Sequence, residues 1–148
     1  MSTLEPRDHA EITDLYARYN HASDAGDAEA YADCFTAAGI LRVRGLAVRD
    51  GRMARDPAGE FAVSGRAELI AFKRRDAGGR GGRYRRHWNG SLWLARVDEA
   101  TVRGRCYLHA YDGEPGALPV LAQTGVYEDT VVRDGGAWRF ALRLLTID

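Results

Sequence analysis

The chain has 148 residues, of which 45% are hydrophobic and 28% charged, a composition that excludes intrinsic disorder and predicts one globular domain over 1–148. Lys+Arg and Asp+Glu both number 21, so no net field draws nucleic acid or an anionic membrane. No apolar run reaches the roughly 18–20 residues of a membrane span, and the first residues lack the order of a signal peptide, so a cytoplasmic protein is expected.

Asp8 followed three residues later by Glu11 has the form of a capping box, and Ile12, Leu15, Tyr16 and Tyr19 recur at helical spacing. They predict a first helix of about a dozen residues, ending around Ala22–Gly26 at a glycine suited to a helix end. Asp27 is placed to cap a short second helix with Tyr31, Cys34 and Phe35 on its apolar side, ending at Thr36 to Gly39. From Ile40 to Val48 the pattern changes to partial alternation of apolar and basic residues, as in a strand with one buried face. Arg49–Gly59 is turn-rich, Phe61–Val63 a short partner strand, and Ser64–Phe72 a third helix. Arg74–Gly82, with four glycines, reads as a loop.

Beyond Tyr84 the pattern is almost wholly β. Strands are expected at Tyr84–Val97, Thr101–Tyr111, Leu118–Arg133 and Ala137–Leu145, joined by hairpin-type turns. Helices first and strands last give an α+β class: three helices in the N-terminal half packed on a curved antiparallel sheet. Cys34 and Cys106 have no metal-ligand spacing and read as buried free thiols. No His-x-His, Cys-x-x-Cys or phosphate-binding glycine loop is present, so activity without metal, nicotinamide or flavin is expected. Lys73 is the only lysine among 21 basic residues, which suggests arginine-rich codon usage. The arginines from Arg74 to Arg86 read as a solvated loop or, functionally, as a pocket mouth that attracts an acidic or phenolate ligand. Their glycine spacing and the zero net charge argue against nucleic acid.

The chemistry-bearing candidate is His87, within the strand that starts at Tyr84. Imidazole titrates near neutral pH and suits removal of a proton next to a carbonyl or β to a leaving group. Asp24, just after the first helix, is its candidate partner: a carboxylate on one ring nitrogen fixes the tautomer and leaves the other free to accept. His109 or a tyrosine among Tyr16, Tyr19, Tyr107 and Tyr127 would protonate the leaving oxygen or steady an enolate. Strand alternation puts Asn89, Ser91 and Trp93 on the face of His87, with Trp88, Leu92 and Leu94 opposite, and sets His109 beside Tyr107 and Tyr111. On spacing alone the plainer reading of the pair is a structural histidine and a helix-end cap.

The segments DLYARYNHASDAGD, RHWNGS and TGVYEDTVVRDGGAWRF, in this element order, resemble the nuclear-transport-factor-2-like superfamily in its SnoaL-like branch. That resemblance covers nearly the whole chain. It implies a cone of sheet and helices around one deep pocket, and a homodimer or homotrimer. Asp24 and His87 fall on the aspartate and histidine of the scytalone dehydratase and hexachlorocyclohexane dehydrochlorinase type. His109 falls on a second active-site histidine of the dehydratase, and Thr124 near its pocket serine, with Trp88 and Asn89 beside the dyad. Ser23 and Val43 stand where the dehydratase carries its water-activating tyrosines, which argues against scytalone-type dehydration. The implied function is a cofactor-independent lyase or isomerase (dehydratase, dehydrohalogenase or cyclase) acting on a small, mostly apolar cyclic molecule. The alternative is a non-catalytic ligand-binding or oxygenase β-subunit-like module.

Overall fold

The computed structural model describes residues 3–148. The elements follow one another as α1 (Pro6–Ala25), α2 (Ala28–Asp33), β1 (Phe35–Arg49), β2 (Arg52–Ser64), α3 (Arg66–Gly78), β3 (Tyr84–Arg96), β4 (Thr101–Gly113), β5 (Val120–Asp134) and β6 (Ala137–Ile147). One curved, open six-stranded sheet has the order β2-β1-β6-β5-β4-β3. Every neighbouring pair is antiparallel except β1 with β6. The three helices lie on one face, as the α+β reading expects. No helix among the described residues is long and apolar enough to cross a membrane.

Helix α1 runs 20 residues rather than a dozen, because the stripe Ile12, Leu15, Tyr16, Tyr19, Ala22 and Ser23 keeps one side buried to its last turn. Gly26 closes it in the left-handed region at φ 71. A side chain at Gly26 would also crowd Ala77 of α3, its Cβ 2.8 Å away. The capping box is not formed. Pro6 opens the helix, Glu5 at the N-cap makes no side-chain bond, and Asp8 instead turns into the protein to accept from Arg96, Arg133 and the Trp138 indole N–H. Asp27 does cap α2, accepting from the Ala30 N–H at 3.0 Å.

Three further expectations are corrected. Helix α2 stops at Cys34 and β1 already begins at Phe35. The turn-rich stretch before Gly59 is part of the long strand β2, which pairs with β1 across a tight turn at Asp50–Gly51. Helix α3 extends past Arg74 to Gly78, and two of the arginines after it are braces rather than solvated tips: Arg80 pairs with Asp76, and Arg85 with Asp112. Cys34 and Cys106 are buried and unpaired, and desolvation pushes both thiols up to about 11.

The centre of the core is polar. Arg143 of β6, wholly buried, makes a bidentate pair with Asp129 of β5 at 3.0 Å for both bonds. Tyr16 donates to the same carboxylate at 2.6 Å. The guanidinium lies 3.8 Å from the Tyr127 ring centre, 4.2 Å from Tyr19, 4.3 Å from Phe140 and 4.9 Å from Tyr16. Tyr16 reaches Asp129 over Gly104, where any Cβ would collide with its hydroxyl. Removing one member of such a pair strands a buried charge. Asp129→Ala is expected to cost roughly 3–5 kcal/mol of stability, read from urea unfolding, and Gly104→Ala to be destabilising as well.

Candidate active site

The last turn of α1 meets β3 at Asp24 and His87. Oδ1 of Asp24 lies 2.5 Å from His87 Nδ1, and Oδ2 accepts the His87 backbone N–H at 3.1 Å. A carboxylate can only accept, so the proton of the neutral ring sits on Nδ1. Nε2 is then the free nitrogen, without a partner among the described residues. Both side chains are about seven-eighths buried, at 12% and 13% exposure. One residue pair along β3, Asn89 accepts from Asn20 of α1 at 2.8 Å and donates to the Tyr107 carbonyl, so strand and helix are tied twice.

His87 lines a cleft that is partly open to solvent. Leu41, Val43, Leu46, Met53, Phe61 and Leu145 give it an apolar wall from β1, β2 and β6. Its polar wall joins His87 to Tyr19, Tyr31, Tyr127, Gln123, Ser23, Lys73, Asp76 and Arg85. Cross-strand register explains part of this grouping, since His87 pairs with Ala110 and Ala110 with Gln123, three inward positions in one row. Desolvation raises the tyrosine pKa of Tyr19 and Tyr127 well above the ordinary value, so both remain neutral hydroxyls. Tyr19 and Tyr31 share a hydrogen bond of 3.0 Å.

The sequence candidates divide between two faces. His87, Asp24, Asn89, Tyr19 and Tyr127 lie on the helix-covered side. Tyr16 is there too, but its hydroxyl is committed to Asp129 and does not line the cleft. Trp88, His109 and Thr124 form one cross-strand row on the outer face, with Tyr107 on that face as well. The faces of the two histidines do not converge: β3 and β4 pair His87 with Ala110, and His109 stacks against Trp88 at 6.4 Å. Ser91 and Trp93 are corrected. A one-residue bulge between Gly90 and Trp93, with Ser91 at φ 54, reverses the alternation and turns Leu92 and Leu94 toward the core.

Four polar groups escaped the sequence reading. Lys73 donates to Ser23 Oγ at 2.8 Å and to Asp76 Oδ2 at 3.0 Å. Arg80 donates to the same Asp76 oxygen at 2.8 Å and to the terminal α1 carbonyls of Ser23 and Asp24. Gln123 is the fourth. The i, i+3 spacing of Lys73 and Asp76 on one helix face was the available signal, hidden by ending that helix at Phe72. Arg85 lines the cleft but is chelated by Asp112 at 2.6 and 2.8 Å. Among the described residues, no three His, Cys, Asp or Glu side chains are grouped to hold a metal ion.

A helix-covered cone with a histidine-bearing cleft matches a family model for the SnoaL-like domain over residues 5–143. The chain belongs to the SnoaL-like domain family. That family includes polyketide cyclases and related enzymes. No protein of curated function matches the sequence significantly. Among solved structures, this SnoaL-like domain is similar to Aln2 from a Streptomyces species, at 24% identity and TM-score 0.83, covering 99% of this chain and 95% of that one. It is similar also to ActVI-ORFA from Streptomyces coelicolor, at 20% identity and TM-score 0.77, covering 95% and 96%. A Catenulispora acidiphila protein in complex with S-DNPA shares 23% identity and a TM-score of 0.75, covering 97% and 96%. At these identities the likeness is one of fold.

Burial would push the Asp76 carboxyl up, but Lys73 and Arg80 outweigh it and hold it below the usual carboxylate value. A lowered folded pKa contributes stability that is complete above the unfolded value of about 3.9 and is lost as pH falls through the folded value. Asp76→Asn is thus expected to lower Tm at neutral pH, with a deficit that shrinks on acidification below pH ~4, read by thermal denaturation across a pH series.

Proposed function

We propose that this SnoaL-like domain is a cofactor-independent lyase or isomerase that removes a proton next to a carbonyl of a small, mostly apolar cyclic molecule, with His87 as the base. The observation that carries this reading is the ring geometry: Nδ1 is held by Asp24 at 2.5 Å, and Nε2 of this cleft-lining histidine is left free. The C–H bond breaks toward Nε2, and its electron pair moves onto the carbonyl oxygen as an enolate. Asp24 stabilises the imidazolium that results. Elimination, double-bond shift or ring closure then follows from the leaving group or acceptor that the substrate carries. Family membership supports a polyketide-type, natural-product substrate.

The dyad is that of the scytalone dehydratase and dehydrochlorinase type, but Ser23 Oγ is taken by Lys73, and Val43 belongs to the apolar wall. Water activation of the dehydratase kind therefore has no tyrosine at either of its two positions. Tyr19 and Tyr127 are the neutral hydroxyls in the cleft and the better acids; His109 lies behind the sheet. One observation favours a second reading, a non-catalytic ligand-binding module: the His87 backbone N–H also bonds Asp24, so the pair fastens helix to strand even without chemistry.

Deuterium uptake from D₂O at the carbon next to the carbonyl, followed by NMR over a panel of bicyclic aromatic ketones, separates the two. His87→Gln is expected to slow uptake about 10²–10⁴-fold with an unchanged near-UV CD spectrum. Asp24→Asn should also slow it while leaving the domain folded. Uptake at the full rate in folded His87→Gln would show that the pair is only a fastener.

A further inference from the structure

Lys73 is the least expected group in the cleft. It is 4% exposed, and burying an ammonium is opposed by desolvation, which lowers its pKa. As a fastener it is redundant. Arg80 already clamps Asp76 and, through the carbonyls of Ser23 and Asp24, the end of α1. A buried ion pair is in any case a weak source of stability. Every other Lys/Arg position of the chain is arginine, so a compact ammonium with rotatable donors stands in the cleft wall where a planar guanidinium would be the rule.

Its hydrogen-bond count points the same way. An ammonium has three N–H donors, and two are spent, on Ser23 Oγ and Asp76 Oδ2. The Tyr31 and Phe72 ring centres, 4.6 and 5.6 Å from Nζ, hold the charge without supplying an oxygen acceptor. Asp76 is shared with Arg80, so two cations divide one carboxylate. Arg85, the other cation at the cleft, is neutralised by both oxygens of Asp112.

We propose that Lys73 is the cleft's receptor for a ligand oxygen: its third N–H binds the carbonyl or phenolate oxygen of an aryl ketone or phenol and holds the negative charge there. Binding of an aryl oxyanion stands on Lys73 alone. Its use in turnover, as the group that stabilises the enolate, rests on His87 being the base.

The test needs no turnover, so it can fail independently of that base. 4-Nitrophenol changes its visible absorption on ionising. In buffer below its own pKa, the folded protein is expected to bind it with the phenolate spectrum. Lys73→Met, which leaves Asp76 paired with Arg80, should bind at least tenfold more weakly and as the neutral phenol. If the Met variant does not fold, Lys73→Gln, which keeps a donor toward Asp76, serves in its place. A neutral-phenol spectrum or no binding in the wild-type protein overturns the proposal. So does phenolate that persists in the Lys73 variant, since it assigns the charge to His87 or Arg85. A purely structural lysine would change Tm in the variant but give no phenolate spectrum in the wild type.

Discussion

Everything on the inner face of the sheet is arranged around a charge that water cannot reach. Arg143 has no exposed surface, and an isolated guanidinium there would be prohibitively desolvated. Asp129 supplies the counter-charge in bidentate geometry, and three tyrosines and a phenylalanine turn their rings toward the cation. Two of those tyrosines, Tyr19 and Tyr127, are also walls of the cleft. The floor of the site is therefore the far side of an ion-pair cluster. Its rings cannot rotate freely without uncovering the guanidinium, which keeps the cleft's hydroxyls in fixed positions.

A second device sets the chemical wall. The last turn of α1 presents Asp24 to β3, while the carbonyls of that turn are held by Arg80, whose charge also complements the negative end of the helix. Arg80 grips Asp76, and Asp76 grips Lys73. One chain of contacts thus runs from the ammonium to the carboxylate that orients His87. His87 and Lys73 both bond to the last turn of α1, so their separation is set by that helix end.

The alternation of β3 to β6 and the helical stripe of α1 are visible in the sequence because they follow local periodicities. So was the His87–Asp24 pairing as a hypothesis, since a helix-end aspartate and a strand histidine carry their own chemistry. What escaped was set by long-range register. Nothing local says that β1 runs parallel to β6, or that His87 faces Ala110 and so sends His109 to the opposite side. The bulge at Ser91 reverses the faces of β3 midway, which strict alternation cannot foresee. Asp8 misled for a related reason: its capping-box spacing is genuine, but a buried partnership with Arg96, Arg133 and Trp138 outweighs a solvent-exposed cap. Lys73 was passed over because its helix was ended at Phe72 instead of Gly78.

The cleft draws its two walls from separate stretches of chain. The titratable groups come from the three helices with β3 and β5, whereas Val43, Leu46, Met53 and Phe61 come from the adjoining strands β1 and β2. β2 is an edge strand, paired on one side only. Changes of side-chain volume there can reshape the room available to a ligand while the proton-handling groups keep their places. A lineage built on this plan is free to change what it accepts while its polar wall stays as it is.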